Sequence, residues 1–174
     1  MRYLEVRRHA KRDRPSEHLS QRGVNRARRT GKAMGPFARV IASALPRAFE
    51  TAVAMGFAVD EVFPALNPRD VGLDAGNAGF AEYADAVRRG GGTARVANEQ
   101  ASLWRSIAGS LADGETALVI THAAVVEAGA VACLPDADHR AWGPACRLCE
   151  GVRLAFDGAT FVDAEILRRR RRKK

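Results

Sequence analysis

The sequence predicts an α/β layered fold, and three observations carry that expectation. Strand-like apolar runs alternate with helix-period stripes along most of the chain. Thr116–Thr121 has a continuous apolar centre, as a strand covered on both faces in a parallel sheet would have. Apolar residues make up 47% of the 174, enough to bury a sizeable core and to argue against disorder.

The elements follow in order. Tyr3–Arg7 alternates weakly and reads as a first strand that ends in Arg8-His9-Ala10. Lys11–His18 is charged, contains Pro15 and reads as a loop. Ser20 suits a helix N-cap, with Leu19 and Val24 as a hydrophobic staple; Gly35-Pro36 stops that helix. Ala38–Ser43 is a second short strand, and Pro46 opens the next helix. Val59–Phe63 reads as a third strand. The stretch 64–77, rich in Pro, Asn, Gly and Asp, is expected to be a functional or lid-like loop.

Phe80, Tyr83, Ala84 and Val87 mark a helix that ends at Gly90-Gly91-Gly92, and Ala101, Trp104, Ala108 and Leu111 mark a longer one. After the strand Thr116–Thr121, His122 leads directly into an Ala-rich helix reaching about Cys133. Val152–Phe156 and Thr160–Ala164 around Asp157-Gly158 form a terminal hairpin. No internal repeat or domain boundary is visible. One domain over 1–167 is expected, followed by a basic disordered tail, 168–174.

The net charge of +8 is mostly a property of that tail, Arg168–Lys174. Without it, 21 cations face 20 carboxylates. A terminal basic run without aromatics is more often a solvated tail than a nucleic-acid site, so nucleic acid is not the expected partner. No apolar run approaches the ~20 residues a membrane span needs, and no secretory signal follows Met1. A cytoplasmic protein without a membrane partner is expected. The three cysteines suit a reducing compartment, and Cys146-x-x-Cys149 has no second pair with which to hold zinc.

Three strand-to-helix junctions carry chemistry-bearing residues: Arg8-His9, the Ser43–Arg47 junction, and Thr121-His122. Each alone is more often a surface or capping feature. In an open α/β sheet, however, the carboxyl ends of parallel strands share one edge, where ligands bind. Two guanidinium forks and two imidazoles meeting there suit a phosphoryl group. The arginines bind it in bidentate fashion, one neutral imidazole attacks phosphorus, and the other donates to the charge growing on its oxygens. The helix starts at Arg47 and Ala123 would add backbone donors. No metal or other cofactor is required by such a group. His18 and His139 lie in polar stretches and are expected to face solvent.

Val6-Arg7-Arg8-His9-Ala10 resembles the Arg-His-Gly signature of the histidine phosphatase superfamily, the phosphoglycerate mutase-like clan. Leu19–Gly23 resembles its Leu-Thr-x-x-Gly helix start. Ser43–Ala52 is similar to its Ser-x-x-x-Arg-Ala-x-x-Thr-Ala segment, and Val119–Ala123 to its second-histidine strand end. The four keep the clan's order. The resemblance implies a three-layer sandwich, a mostly parallel central sheet flanked by helices. It also implies that His9 is the nucleophile that becomes phosphohistidine, with Arg8, Arg47 and His122 completing the phosphate pocket. Ala10 and Ala123 stand where Gly is usual; Arg-His-Ala also occurs in the short phosphohistidine-phosphatase branch.

The clan's general acid, usually a Glu after the second arginine helix, has no clear counterpart here. Asp70 is the first choice, with Asp74 and Glu82 as alternatives. The function expected is a phosphatase acting on a phosphorylated small molecule or phosphoprotein. A mutase-type phosphotransferase and a weakly active phosphate-binding pseudoenzyme are the alternatives. Arg12 and Arg14, in the loop after His9, suit either loop solubility or a grip on a further anionic part of the substrate.

Overall fold

A computed structural model of the chain describes residues 1–73 and 77–169. The chain runs β1 (Arg2–Arg8), α1 (Gln21–Gly31), β2 (Arg39–Ala42), α2 (Pro46–Met55) and β3 (Glu61–Val62), then a single 3-10 turn (Pro64–Leu66). It continues with α3 (Phe80–Arg89), α4 (Gly91–Gly109), β4 (Thr116–Thr121), α5 (Val125–Cys133), β5 (Gly151–Phe156) and β6 (Phe161–Leu167).

The strands form one six-stranded sheet in the order β3-β2-β4-β1-β5-β6. β3, β2, β4 and β1 are parallel, while β5 and β6 add an antiparallel edge. The expected terminal hairpin is that edge. Its turn is held by Asp157, whose Oδ1 accepts from the main-chain nitrogens of Ala159 and Thr160, both at 2.8 Å.

Strand alternation divides the core into two layers. On β4, Ala117 and Val119 pack toward α3, α4 and α5, while Leu118 and Ile120 pack toward α1 and α2. All six β4 residues are buried, which explains the unbroken apolar run. Trp104 of α4 is fully buried against α5, where a side chain at Gly129 would come within 2.4 Å of its ring. That burial stabilises the fold by about 3 kcal/mol. The result is the three-layer α/β sandwich with a mostly parallel sheet that the sequence predicts.

The differences are local. β2 and β3 are shorter than expected, with Phe63 and Asp60 outside the ladder yet still bonded to β2 main chain. Only the first glycine of 90–92 separates α3 from α4; Gly91 already belongs to α4. His139 is buried, not solvent-facing. Its Nε2 meets the Leu134 carbonyl oxygen at 3.0 Å, and its ring packs edge-on against Trp142 at 4.6 Å. The polar neighbours that suggested exposure turn outward while the ring turns in.

The basic run also begins later than the sequence suggests. Arg168 is tied to the carbonyl oxygens of Ala145 and Trp142 and to Glu150, and the Arg169 main-chain nitrogen also donates to Glu150. Arg170–Lys174 lie outside the described residues. Among the described residues, no helix is long and apolar enough to cross a membrane.

Candidate active site

Sheet register brings the junctions together. Arg8 pairs with Thr121 across β1 and β4, and Ala42 pairs with Ile120 across β2 and β4. Each strand then extends by one bonded residue: His9 donates its main-chain N–H to the Thr121 carbonyl, and Ser43 to that of Ile120, both at 2.9 Å. His9, Ser43 and His122 therefore leave the sheet side by side at its C-terminal edge.

The His9 ring is oriented by its own loop. Nδ1 lies 2.6 Å from the Ala10 carbonyl oxygen, which can only accept, so Nδ1 carries the proton and Nε2 keeps its lone pair. Arg47 Nε donates to that Nε2 at 3.2 Å. Burial lowers the His9 pKa to about 4, and the Arg47, Arg8 and Arg12 cations push in the same direction; only the Ala10 bond opposes them. Thr51 links this loop to α2, accepting from the Ala10 N–H at 2.9 Å and donating to the Arg47 carbonyl at 2.6 Å. Ala10 is fully buried and keeps a negative φ, so its methyl is accommodated.

His122 packs beside His9 with ring centroids 5.0 Å apart. Its Nε2 lies 2.6 Å from Ser43 Oγ, and its buried Nδ1 has no hydrogen-bond partner among the described residues. Burial, followed by His9, Arg47 and Arg8, lowers its pKa to about 2. Both imidazoles are thus neutral near pH 7.

The helix after His122 starts at Val125, two residues later than expected, because Ala124 takes a positive φ of 69° before α5 begins. The Ala124 N–H donates to Glu127 Oε2, and the helix start lies at Val125 rather than at the expected Ala123.

Glu127 had no place in the sequence reading. It is fully buried, and burial pushes its carboxyl pKa up. It accepts from the main-chain nitrogens of Ala124 and Cys146, each at 2.8 Å. The segment it holds in turn holds the arginines: Arg8 Nη1 donates to the Cys146 carbonyl at 3.0 Å and Arg7 Nη1 to that of Cys149 at 2.8 Å. The Cys-x-x-Cys stretch therefore acts through its main chain. Its thiols are free and buried, and burial raises the pKa of both. The sequence signal for Glu127 is a lone acid in an Ala/Val helix.

A cavity of about 740 Å³ opens on His9. Arg8, Lys11, Arg12, Arg14, Arg22 and Arg47 line it, against Asp13 as the lining carboxylate. Glu17 reaches back from the 11–18 loop and pairs with both Arg12 and Arg47. That loop is ordered: Asp13 N bonds to the His18 carbonyl at 2.8 Å and Ser20 N to that of Lys11 at 3.0 Å. Ser20 also caps α1, accepting from Gly23 N at 3.1 Å. Gly23 is required there, because a Cβ would sit 2.1 Å from the Lys11 carbonyl oxygen. His18 is exposed, as expected, and pairs with Glu50.

Of the acid candidates, neither Asp70 nor Glu82 lines this cavity. Asp70 is exposed and accepts from Gly72 N at 2.9 Å, while Glu82 accepts from Gly79 N at 2.9 Å as a cap of α3. Asp74 lies outside the described residues. The segment that leads to Asp70 is nevertheless pinned to the site edge. Thr121 Oγ1 donates to the Leu66 carbonyl at 2.7 Å, and Ala44 N to Asn67 Oδ1 at 2.9 Å. Among the described residues, no group of three or more His, Cys, Asp or Glu is placed to hold a metal.

No family model and no curated protein matches the chain by sequence. Solved structures match it throughout. A phosphoserine phosphatase from Entamoeba histolytica, in complex with 3-phosphoglyceric acid, superposes with a TM-score of 0.74 over 97% of this chain and 98% of that one, at 14% identity. A mycobacterial glucosyl-3-phosphoglycerate phosphatase gives a TM-score of 0.70 over 96% and 98%, at 19% identity. The fold is that of the histidine phosphatases. A Bacillus stearothermophilus protein shares it too, with a TM-score of 0.60 over 93% and 95% at 19% identity. Within the histidine phosphatase fold, the four motif residues of this chain come from the ends of β1 and β4 and from the first turn of α2.

Proposed function

We propose that the protein is a phosphohydrolase that works through a phosphohistidine on His9. The observation that carries this is the pairing of a neutral His9, whose Nε2 lone pair is free of a proton, with the guanidinium of Arg47 and the ring of His122. Arg8 and Arg47 bind the phosphoryl oxygens. Nε2 attacks phosphorus, the bond to the leaving oxygen breaks, and that oxygen takes a proton.

We assign that proton to Asp70, the exposed carboxylate three residues beyond Asn67 on the segment tied to Ala44. In the second step water attacks phosphorus, gives its proton to the same carboxylate, and the P–N bond breaks to release phosphate and neutral His9. His122, held by Ser43, donates its other N–H to the equatorial oxygens. No metal takes part, since the two arginines and His122 meet the developing charge. The substrate is a phosphomonoester or a phosphorylated protein side chain. The phosphatases of the same fold, both named for phosphomonoesters, make this the natural reaction class.

Turnover of p-nitrophenyl phosphate, inhibited by vanadate, is the first test. A protein that binds phosphate yet releases no nitrophenol at any pH between 4 and 9 is a pseudoenzyme, and the proposal falls.

A further inference from the structure

The rim of the cavity carries more positive charge than one phosphoryl group needs. Arg8 and Arg47 serve that group. Beyond them, Lys11, Arg12, Arg14 and Arg22 face, among the described residues, the carboxylates of Asp13 and Glu17. Moreover, the Glu17 carboxylate is gripped jointly by Arg12 and Arg47. The arginine of the rim and the arginine of the proposed phosphate pocket therefore stand close enough to share one anion, and the chain's own carboxylate is that anion here. Glu17 is therefore an occupant of the pocket mouth.

We infer that the Lys11–Arg14 loop and Arg22 form a second anion subsite beside the His9 pocket, and that its ligand is a second phosphoryl group on the same substrate. This rests on the phosphatase reading of the site. The argument for a second phosphoryl group over a carboxylate is charge. When Glu17 yields, four rim cations face Asp13 alone, and a dianion matches that excess better than a monoanion. A cavity of about 740 Å³ accommodates a bisphosphorylated small molecule. Gly23 and Ser20 fix the loop against α1, so the rim cations are presented by an ordered segment.

The test is calorimetric titration of the full chain with inorganic phosphate and with pyrophosphate. The expected result is pyrophosphate binding at least tenfold tighter than phosphate, with the preference shrinking as salt is raised. Arg14→Ala combined with Arg22→Ala should bring the two affinities within about twofold of each other. Both arginines are exposed, so this variant keeps its fold. Glu17→Gln should tighten pyrophosphate binding several-fold, because the internal competitor loses its charge. Equal affinities in the unaltered protein, or a preference that survives the double substitution, would overturn the subsite. Binding is read without turnover. Phosphatase activity without a pyrophosphate preference would therefore sink the subsite alone, while a preference without activity would sink only the phosphatase reading.

Discussion

His9 and His122 stand 5.0 Å apart because Arg8 and Thr121, the residues before them, are register partners in neighbouring parallel strands. A one-residue slip of β1 against β4 would turn one ring to the opposite face of the sheet. The pairing is thus set by the central strands, and its burial gives both rings depressed pKa values.

That burial makes a pH prediction. The His9 pKa falls from 6.5 to about 4 on folding, so between those values the unfolded chain binds a proton that the folded one does not. Stability is therefore full above about pH 6.5 and declines as pH falls toward 4. The His122 contribution continues to fall to about pH 2. Urea midpoints measured from pH 8 to pH 4 should show this decline, and His9→Gln should make it shallower. For the same reason the acid limb of kcat/KM should not appear until well below pH 6.

Ser43 is the buried partner of His122. Ser43→Ala should lower kcat roughly tenfold, the effect of about 1.4 kcal/mol, while leaving KM for an aryl phosphate within twofold. A change confined to KM would mean that the hydroxyl serves binding rather than the orientation of the imidazole.

Glu127 connects the turn after His122 with the segment that grips Arg8. Glu127→Ala leaves two buried N–H groups without acceptors and should cost about 2–4 kcal/mol in urea denaturation. Glu127→Gln retains one amide oxygen and should cost less. Because Arg8 loses its support, a raised KM for phosphate esters should accompany the stability loss. A stability loss with unchanged KM would leave Glu127 a fold residue only.

The acid assignment has its own signature. Asp70→Asn should slow alkyl phosphates at least tenfold more than p-nitrophenyl phosphate, whose leaving oxygen needs little protonation. Glu82→Gln should reduce stability by about 1 kcal/mol through the weakened cap of α3, with no such split between substrates.

Much of this was legible in the sequence, for identifiable reasons. The β4 run, the Ser20 cap and the Pro46 helix start are local signals, and they fixed three junctions on one sheet edge once the strands were taken as parallel. Glu127, the Cys146–Cys149 main chain and the pairing of Glu17 with Arg47 are non-local. They depend on loops that meet only after the sheet has formed, and no spacing in the sequence marks them. His139 misled for the related reason that a polar neighbourhood in sequence says little about where one ring points.

The most direct measurement is acid-sensitive labelling of the protein itself. A reaction with phosphorus-labelled p-nitrophenyl phosphate, quenched within milliseconds, should trap label in a bond stable to alkali and labile to acid, as a phosphoramidate is. His9→Ala should lose both label and turnover, while His122→Ala should retain a label that forms about a hundredfold more slowly. Label that persists in His9→Ala, or that maps to Ser20 or Ser43, would contradict the account even if the protein hydrolyses phosphate esters.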